Sequence, residues 1–464
     1  MVDKKIAQQI TQALSQILEP EFVKTDTADI CSYGFDNSRR QARADFVVLP
    51  ETSKQIAAIV KLCNQYKTPL IARGKGTGTT GATVPISGGI ILSTERMNNI
   101  ISVHADDRYM IVQPGVTNEE VQIAAAEHGF FWPPDPTSAA FCTIGGNLAY
   151  NSAGPRAVKY GTPRENTLGL KAITGTGEEI HCGVYTTKGV VGYDLTRLLI
   201  GSEGTLAIIT EATLKLTPLA DTKNTIKAIY KTIDAAANAV ADIMAQSTIP
   251  CSLEFMDRSA LNMVREYSDA NLPDDAGAML MIEVDGKQQH MQQMTNDIEQ
   301  AASNKGLLEF AVAKTKDEVK ALWATRKALS PSLRHVAPKK INEDVVVPVS
   351  NIPALINGLE KISLLHDIPI INFGHAGNGN IHVNLLVQEK DDDAYRCLDD
   401  VFKLVLSLNG TLSGEHGVGI DKIDFVSAEL GQTSLALMHA IKNVFDPNNI
   451  MNPGKTIPEL EKTN

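Results

Sequence analysis

Pro69-Leu70-Ile71-Ala72-Arg73-Gly74-Lys75-Gly76-Thr77-Gly78-Thr79-Thr80-Gly81 runs an apolar strand straight into a loop of glycines and threonines. Hydroxyls and exposed backbone N–H groups in such a loop make a nest for phosphate oxygens. Two common nucleotide-binding readings fail here. A Rossmann fingerprint needs a helix directly after its glycines, whereas residues 82–93 hold Pro85, Gly88 and Gly89 before another strand, Ile90-Ile91-Leu92. A Walker loop must close on Gly-Lys-Ser/Thr, which is absent. The loop is therefore a structural turn or a diphosphate cradle. Its surplus of threonine and glycine favours the cradle.

Working outward, helical spacing over 6–18 and 52–66, with a strand over 46–49 stopped by Pro50, builds a first α/β layer. A strand over 109–112 and a helix over 118–128 continue the alternation. Trp132-Pro133-Pro134-Asp135-Pro136-Thr137-Ser138 must be extended, because its prolines fix φ and remove donors. The small-residue run Ile144-Gly145-Gly146-Asn147-Leu148-Ala149-Tyr150-Asn151-Ser152-Ala153-Gly154 suits a close-packed helix start or a wall for a flat ligand. Strands follow over 168–173 and 206–210, the second introduced by Gly201-Ser202-Glu203-Gly204. After Pro218 the texture becomes α+β with few glycines. Strands are expected over 226–230, 252–256, 278–284 and 345–349, with helices over 234–246, 291–305, 319–334, 353–365 and 394–408. The tail reads as one helix over 427–445 before Asn452-Pro453-Gly454-Lys455.

A second chemical signal is Gly374-His375-Ala376-Gly377-Asn378-Gly379-Asn380-Ile381-His382-Val383-Asn384, taken with Gly414-Glu415-His416-Gly417. Apolar runs on either side make the first segment two strands joined by a glycine turn. Neutral imidazoles with a carboxylate suit zinc or manganese. Two structural histidines in a tight turn is the bland alternative. The Glu-His pair bracketed by glycines tilts the balance toward chemistry.

The 464 residues predict two or three domains, and 43% apolar with 21% charged residues is an ordinary globular composition. A net charge of −11 argues against nucleic acid as a partner. No apolar run reaches the roughly 18 residues that span a bilayer, and no secretory signal is expected at the N-terminus. Cys31, Cys63, Cys142, Cys182, Cys251 and Cys397 are scattered with no CxxC pair, the usage of a reducing compartment and no framework for an iron–sulfur cluster. A cytoplasmic protein is expected.

Taken in order, the Arg73 loop, Pro133-Pro134-Asp135-Pro136, Ile144-Gly145-Gly146-Asn147, Gly201-Ser202-Glu203-Gly204-Thr205-Leu206, the two histidine segments and Asn452-Pro453-Gly454-Lys455 resemble the FAD-linked oxidoreductases of the vanillyl-alcohol-oxidase superfamily. Within it they resemble the D-2-hydroxyacid dehydrogenase branch, which takes D-lactate, glycolate or D-2-hydroxyglutarate. The resemblance implies an α+β chain: a two-subdomain FAD-binding domain over 1–220, divided near 100, a substrate domain with an antiparallel sheet over 221–410, and a C-terminal helical segment over 411–464 that returns to the flavin. It implies FAD held by Arg73, Gly74, Lys75, Gly76, Thr77, Gly78 and Thr79 at the diphosphate. Pro134, Ser138, Gly145, Gly146, Asn147, Asn151, Gly154, Glu203, Gly204, Ile208 and Asn452 would line the remainder. No histidine lies in the diphosphate loop, so the flavin is expected to be non-covalent.

Oxidising a 2-hydroxy acid requires the hydroxyl proton to leave and the α-hydrogen to reach flavin N5 as hydride. By the same resemblance His375, His382 and Glu415 are ligands of a divalent zinc or manganese, His416 is the base, and Arg326 clamps the substrate carboxylate. Asn384 shares the strand face of His382 by period two. D-2-hydroxyglutarate enzymes of this branch look to carry a lysine where Asn342 stands, so a monocarboxylate, D-lactate going to pyruvate, is the preferred substrate. A quinone or cytochrome would take the electrons. Alternatives within the branch are the FAD subunit of a glycolate oxidase complex and a D-2-hydroxyglutarate dehydrogenase. A metal-dependent hydrolase and a non-catalytic flavin module are the readings from other classes. The branch also admits a homodimer, and the Pro338-Lys339-Lys340 patch a peripheral contact at the inner face of the membrane.

Overall fold

The computed structural model describes residues 3–267, 272–337, 339–388 and 393–460; Pro338 of the basic patch lies outside them. The chain forms two compact units, one of Met1–Ala153, Gly161–Leu219 and Glu415–Asn464, the other of Gly154–Tyr160 and Ala220–Gly414. No described helix is long and apolar enough to cross a membrane.

In the first unit the strands are β1 (Val23–Lys24), β2 (Phe46–Val48), β3 (Leu70–Arg73), β4 (Ile90–Ser93), β5 (Ile100–His104), β6 (Tyr109–Val112), β7 (Phe130–Phe131), β8 (Thr167–Thr174), β9 (Glu179–Gly183), β10 (Ala207–Lys215) and β11 (Thr217–Pro218). One sheet has the order β1-β2-β4-β3, with β4 parallel to both β2 and β3. The helix Ser53–Tyr66 opens on a capping box between Thr52 and Gln55 and ends on Lys67 in the left-handed region. Its Ile56, Ile59, Val60 and Cys63 meet Leu70, Ile90 and Leu92 in a core that also buries Ile10 and Leu14 of the opening helix. Each such side chain contributes roughly 2 kcal/mol by leaving water. The C-terminal segment covers the sheet edge: Leu70 N–H donates to the Ile450 carbonyl at 2.8 Å and Asn452 N–H to the Leu70 carbonyl at 2.9 Å. The second sheet, β5-β6-β10-β8-β9, is antiparallel throughout. Fully buried Trp132, its indole N–H donating to the Asn166 carbonyl at 2.9 Å, shares that core with Val121, Ile144, Leu148 and Leu170.

The second unit holds one antiparallel sheet of β12 (Thr222–Tyr230), β13 (Ser252–Asp257), β14 (Ala278–Gly286), β15 (Leu307–Val312), β16 (Lys339–Val346), β17 (Ile370–His375) and β18 (Asn380–Val387), in the order β15-β12-β14-β13-β17-β18-β16. Helices Arg258–Tyr267 and Lys316–Val336 cover one face, closing a core of Met256, Leu261, Leu329, Leu333, Ile371 and Phe373. The residues of β13, β17 and β18 are buried along their whole length, as expected of central strands covered on both faces. The segment Gly154–Tyr160 joins this unit through Lys159, which donates to the Asp285 carbonyl at 3.0 Å, and Tyr160, whose hydroxyl donates to the Asp285 carboxylate at 2.6 Å.

Local departures from the sequence reading have physical causes. The strand expected over 345–349 runs from Lys339 to Val346, because Lys339 and Lys340 pair with Val387 and Leu386 and Pro348 lies beyond its end. The tail helix is interrupted: Gly431, extended at φ −67° and ψ 154°, separates Val426–Glu429 from Gln432–Phe445.

Candidate active site

In the first unit the loop after β3 is held in a shape that only glycine permits at two points. A Cβ on Gly74 would lie 2.4 Å from the Thr143 hydroxyl, and one on Gly78 would lie 2.5 Å from the Tyr150 hydroxyl. Gly76 turns the chain at φ +67° directly over the Arg73 guanidinium. Arg73 itself is buried and donates to the Phe35 carbonyl at 2.7 Å, so it braces the loop from beneath; burial pulls its pKa down. Lys75 is exposed and faces Glu95 at 3.6 Å. Among the described residues, no main-chain N–H from Lys75 to Thr80 donates to a protein backbone carbonyl, and the buried Thr79 hydroxyl has no partner. Donors held in place without acceptors fit the diphosphate of FAD. Thr77 is half-buried beside them.

The neighbouring segments turn most of their polar groups inward. Thr143 caps the helix Ile144–Tyr150 by accepting from Gly146 N–H at 3.3 Å, and Gly145 packs on Pro114 where a Cβ would sit 2.7 Å away. Asn147 accepts from the Asn118 amide at 3.1 Å and donates to the Cys142 sulfur at 3.3 Å. Asn151 ends that helix in the left-handed region and accepts from Arg164 N–H at 3.2 Å. The Pro134 carbonyl accepts from Asn118 at 3.0 Å, and the Ser138 carbonyl accepts from Cys142 N–H at 2.8 Å. Ile208, on β10 of the second sheet, packs into the core of Leu70, Ile90 and Leu92, and Gly204 turns at φ +71°. Gly154 clusters with the second unit.

His416 sits in a segment clamped from several sides within the first unit. The Thr80 hydroxyl donates to the His416 carbonyl at 3.2 Å, while the Thr80 carbonyl accepts from Ile420 N–H at 2.8 Å. Buried Glu203 accepts from Val418 N–H at 2.7 Å and Gly419 N–H at 2.8 Å; burial raises its pKa against those donors. Glu415, half-buried, accepts from Ala153 N–H at 3.2 Å. Asn452 donates to the carbonyls of Glu203 at 2.8 Å and Ala82 at 3.0 Å, tying the glycine loop's exit to this cluster. Lys455 donates to the same Ala82 carbonyl at 2.7 Å, and burial pulls its amine down to about 7.

In the second unit, strand register gathers polar groups on one face of four neighbouring strands. Glu254 lies opposite His375, Phe373 opposite His382, Asp344 opposite His382, and Asn342 opposite Asn384. Directly opposed residues point to the same side, so these side chains share one face of the sheet. The buried rings of His375 and His382 meet edge-on, 5.2 Å between centroids. His375 Nδ1 is 2.5 Å from Glu254 Oε1, and Arg326 Nε donates to Glu254 Oε2 at 2.7 Å. Burial works to raise the Glu254 pKa, but its contacts with His375 and Arg326 outweigh it and hold it at about 2. Arg326 also lies over the Phe373 ring at 4.7 Å. Asn384 accepts from Asn342 at 2.5 Å and donates to the Ile371 carbonyl at 3.0 Å. Asp344 accepts from the Ser413 hydroxyl at 3.1 Å and from Gly414 N–H at 3.0 Å. Gly414 is thereby fixed on the strand beside His382, and Glu415 is its next residue in the chain. Two imidazoles, one with its second nitrogen on a carboxylate, are a donor set that fits a borderline divalent ion.

Sequence reading had passed over Glu254. Its one visible signal was a carboxylate inside the otherwise apolar run Leu253-Glu254-Phe255-Met256.

Residues 219–456 match the family described as FAD linked oxidases, C-terminal domain, and residues 44–183 match FAD binding domain. The glycolate oxidase subunit GlcD of Bacillus subtilis is 37% identical over 455 residues, spanning 97% of this chain and 97% of its own. A D-lactate dehydrogenase of Archaeoglobus fulgidus is 35% identical over 440 residues, spanning 92% and 96%. Among solved structures, p-cresol methylhydroxylase with substrate bound aligns at a TM-score of 0.81 and 16% identity over 100% of this chain and 99% of that one, which shows the same fold.

Proposed function

The chain belongs to the FAD-linked oxidases, and from that premise we propose that it is an FAD-dependent enzyme that oxidises D-lactate to pyruvate. Oxidation of a small 2-hydroxy acid is what its relatives' names have in common, and the match to an FAD binding domain supplies the cofactor. The single observation that carries the finer reading is the Asn342–Asn384 pair, a neutral amide contact on the sheet face that bears His382. An uncharged pair there offers no cation for a second substrate carboxylate, which favours a monocarboxylate over D-2-hydroxyglutarate.

In this reading FAD, when bound, supplies the two-electron acceptor for the α-hydrogen. His375, His382 and Glu415 would hold a divalent ion, which when bound supplies a Lewis acid that eases loss of the hydroxyl proton. His416 accepts that proton, because an imidazole is poised near neutral pH. Arg326 orients the substrate carboxylate with the N–H donors other than the one given to Glu254. Gly74, Gly78 and Thr79 seat the non-covalent flavin diphosphate. Electrons then pass to a quinone or a cytochrome.

A second reading, the FAD subunit of a glycolate oxidase complex, is favoured by the near full-length match to GlcD. Anaerobic mixing of flavin-loaded protein with D-lactate, glycolate and D-2-hydroxyglutarate separates the readings. D-lactate should reduce the flavin fastest. Fastest reduction by glycolate would transfer the assignment to the complex subunit.

A further inference from the structure

We propose that Glu254 is a positioning residue: one buried carboxylate that holds the metal ligand His375 and the substrate-orienting Arg326 in a single fixed geometry. The inference rests on the metal reading of His375 and His382. Glu254 is 1% exposed, and its two oxygens have separate duties, Oε1 on His375 Nδ1 at 2.5 Å and Oε2 on Arg326 Nε at 2.7 Å.

The contact to His375 selects a tautomer. A proton on Nδ1 shared with a carboxylate leaves the Nε2 lone pair for a cation and makes the ring more basic. The contact to Arg326 fixes the guanidinium plane, which Phe373 supports from its face at 4.7 Å. Strand register puts Glu254 opposite His375, so the arrangement is built by the sheet and not by a loop. Neither neighbouring acid can substitute. Asp344 is engaged by Ser413 and Gly414, and Glu283 by Thr225 at 2.8 Å and by the Trp323 indole at 2.8 Å. A shared carboxylate also couples the two functions: displacing it releases a metal ligand and a substrate contact together.

The test uses full-length, FAD-loaded protein stripped by chelator and retitrated with zinc or manganese alone. Glu254→Gln keeps the shape but cannot accept from both partners, and metal affinity should fall 10- to 100-fold. The Michaelis constant for D-lactate should rise in the same variant, with flavin absorbance and the melting temperature of the metal-free protein near wild type. Glu254→Asp keeps the charge but withdraws it by one methylene. It should weaken metal binding in the same direction, and it carries the test if Glu254→Gln does not fold. Wild-type metal affinity in either folded variant overturns the role of Glu254. Failure of the wild-type protein itself to bind either ion overturns the metal reading, and this inference with it.

Discussion

His416 takes its place from its neighbours' hydrogen bonds: Thr80 holds its carbonyl, and Glu203 holds the two peptide groups that follow Gly417. Because those contacts are made by backbone, His416→Ala should leave FAD bound while slowing flavin reduction by roughly 10²- to 10⁴-fold. Reduction at the wild-type rate in a rapid-mixing experiment would remove His416 from the proton transfer. Asp257 supplies a stability prediction. Burial raises its carboxyl from 3.8 to about 6, although Ala260 N–H and the Asn372 N–H and amide all donate to it. Between those values the native state binds more protons than the unfolded state, so this group's contribution falls as pH rises from about 4 to about 6 and is flat above, by about 3 kcal/mol in all. In Asp257→Asn that slope should vanish from a denaturation series across the window; an unchanged slope contradicts the assignment. At this scale the sequence reading singled out polar side chains bracketed by glycines, as at His375 and Glu415. It missed Glu254, which meets His375 across 121 residues and only through strand register.

Elements place the groups that residues supply, and β17 and β18 approach each other closely at Gly374. A Cβ on Gly374 would fall 2.4 Å from the Asn380 carbonyl oxygen, a backbone atom that cannot step aside. Gly374→Ala should therefore push the strands apart, lower stability by about 1 to 3 kcal/mol, and weaken metal binding by separating His375 from His382. A calorimetric melt and a zinc titration check both; a variant with native stability and native affinity would show that the strands tolerate the methyl group. Central elements were legible because burial writes a strong pattern: β4, β13 and β18 are buried at every position. Edge strands β5, β9 and β15 were not read, because they are half-buried or exposed at almost every position, Cys182 of β9 excepted, and show no run of core residues. The helix over 427–445 was read through Gly431, where backbone conformation and not hydrophobic spacing decides the break.

At the scale of the molecule, the sequence motifs appear in an order that reads as consecutive domains, while the compact units interleave. Gly154–Tyr160 belongs with the unit that holds His375 and His382, and Glu415 onward belongs with the unit that holds the glycine loop. Nothing in composition marks the first of these crossings. It depends on Lys159 and Tyr160 finding Asp285, about 125 residues away. The second falls at Gly414–Glu415, between a peptide fixed on Asp344 and a carboxylate engaged by Ala153. The metal-ligand and base roles proposed for Glu415 and His416 thus lie one and two residues past a unit boundary. The central claim, FAD-dependent oxidation of a D-2-hydroxy acid, is tested most directly by the absorbance of the purified protein under anaerobic conditions with D- and L-lactate. The expected result is a yellow flavin spectrum bleached by the D-enantiomer and untouched by the L-enantiomer. A protein that carries no flavin and gains no activity from added FAD, or a flavin that neither enantiomer bleaches, would contradict it.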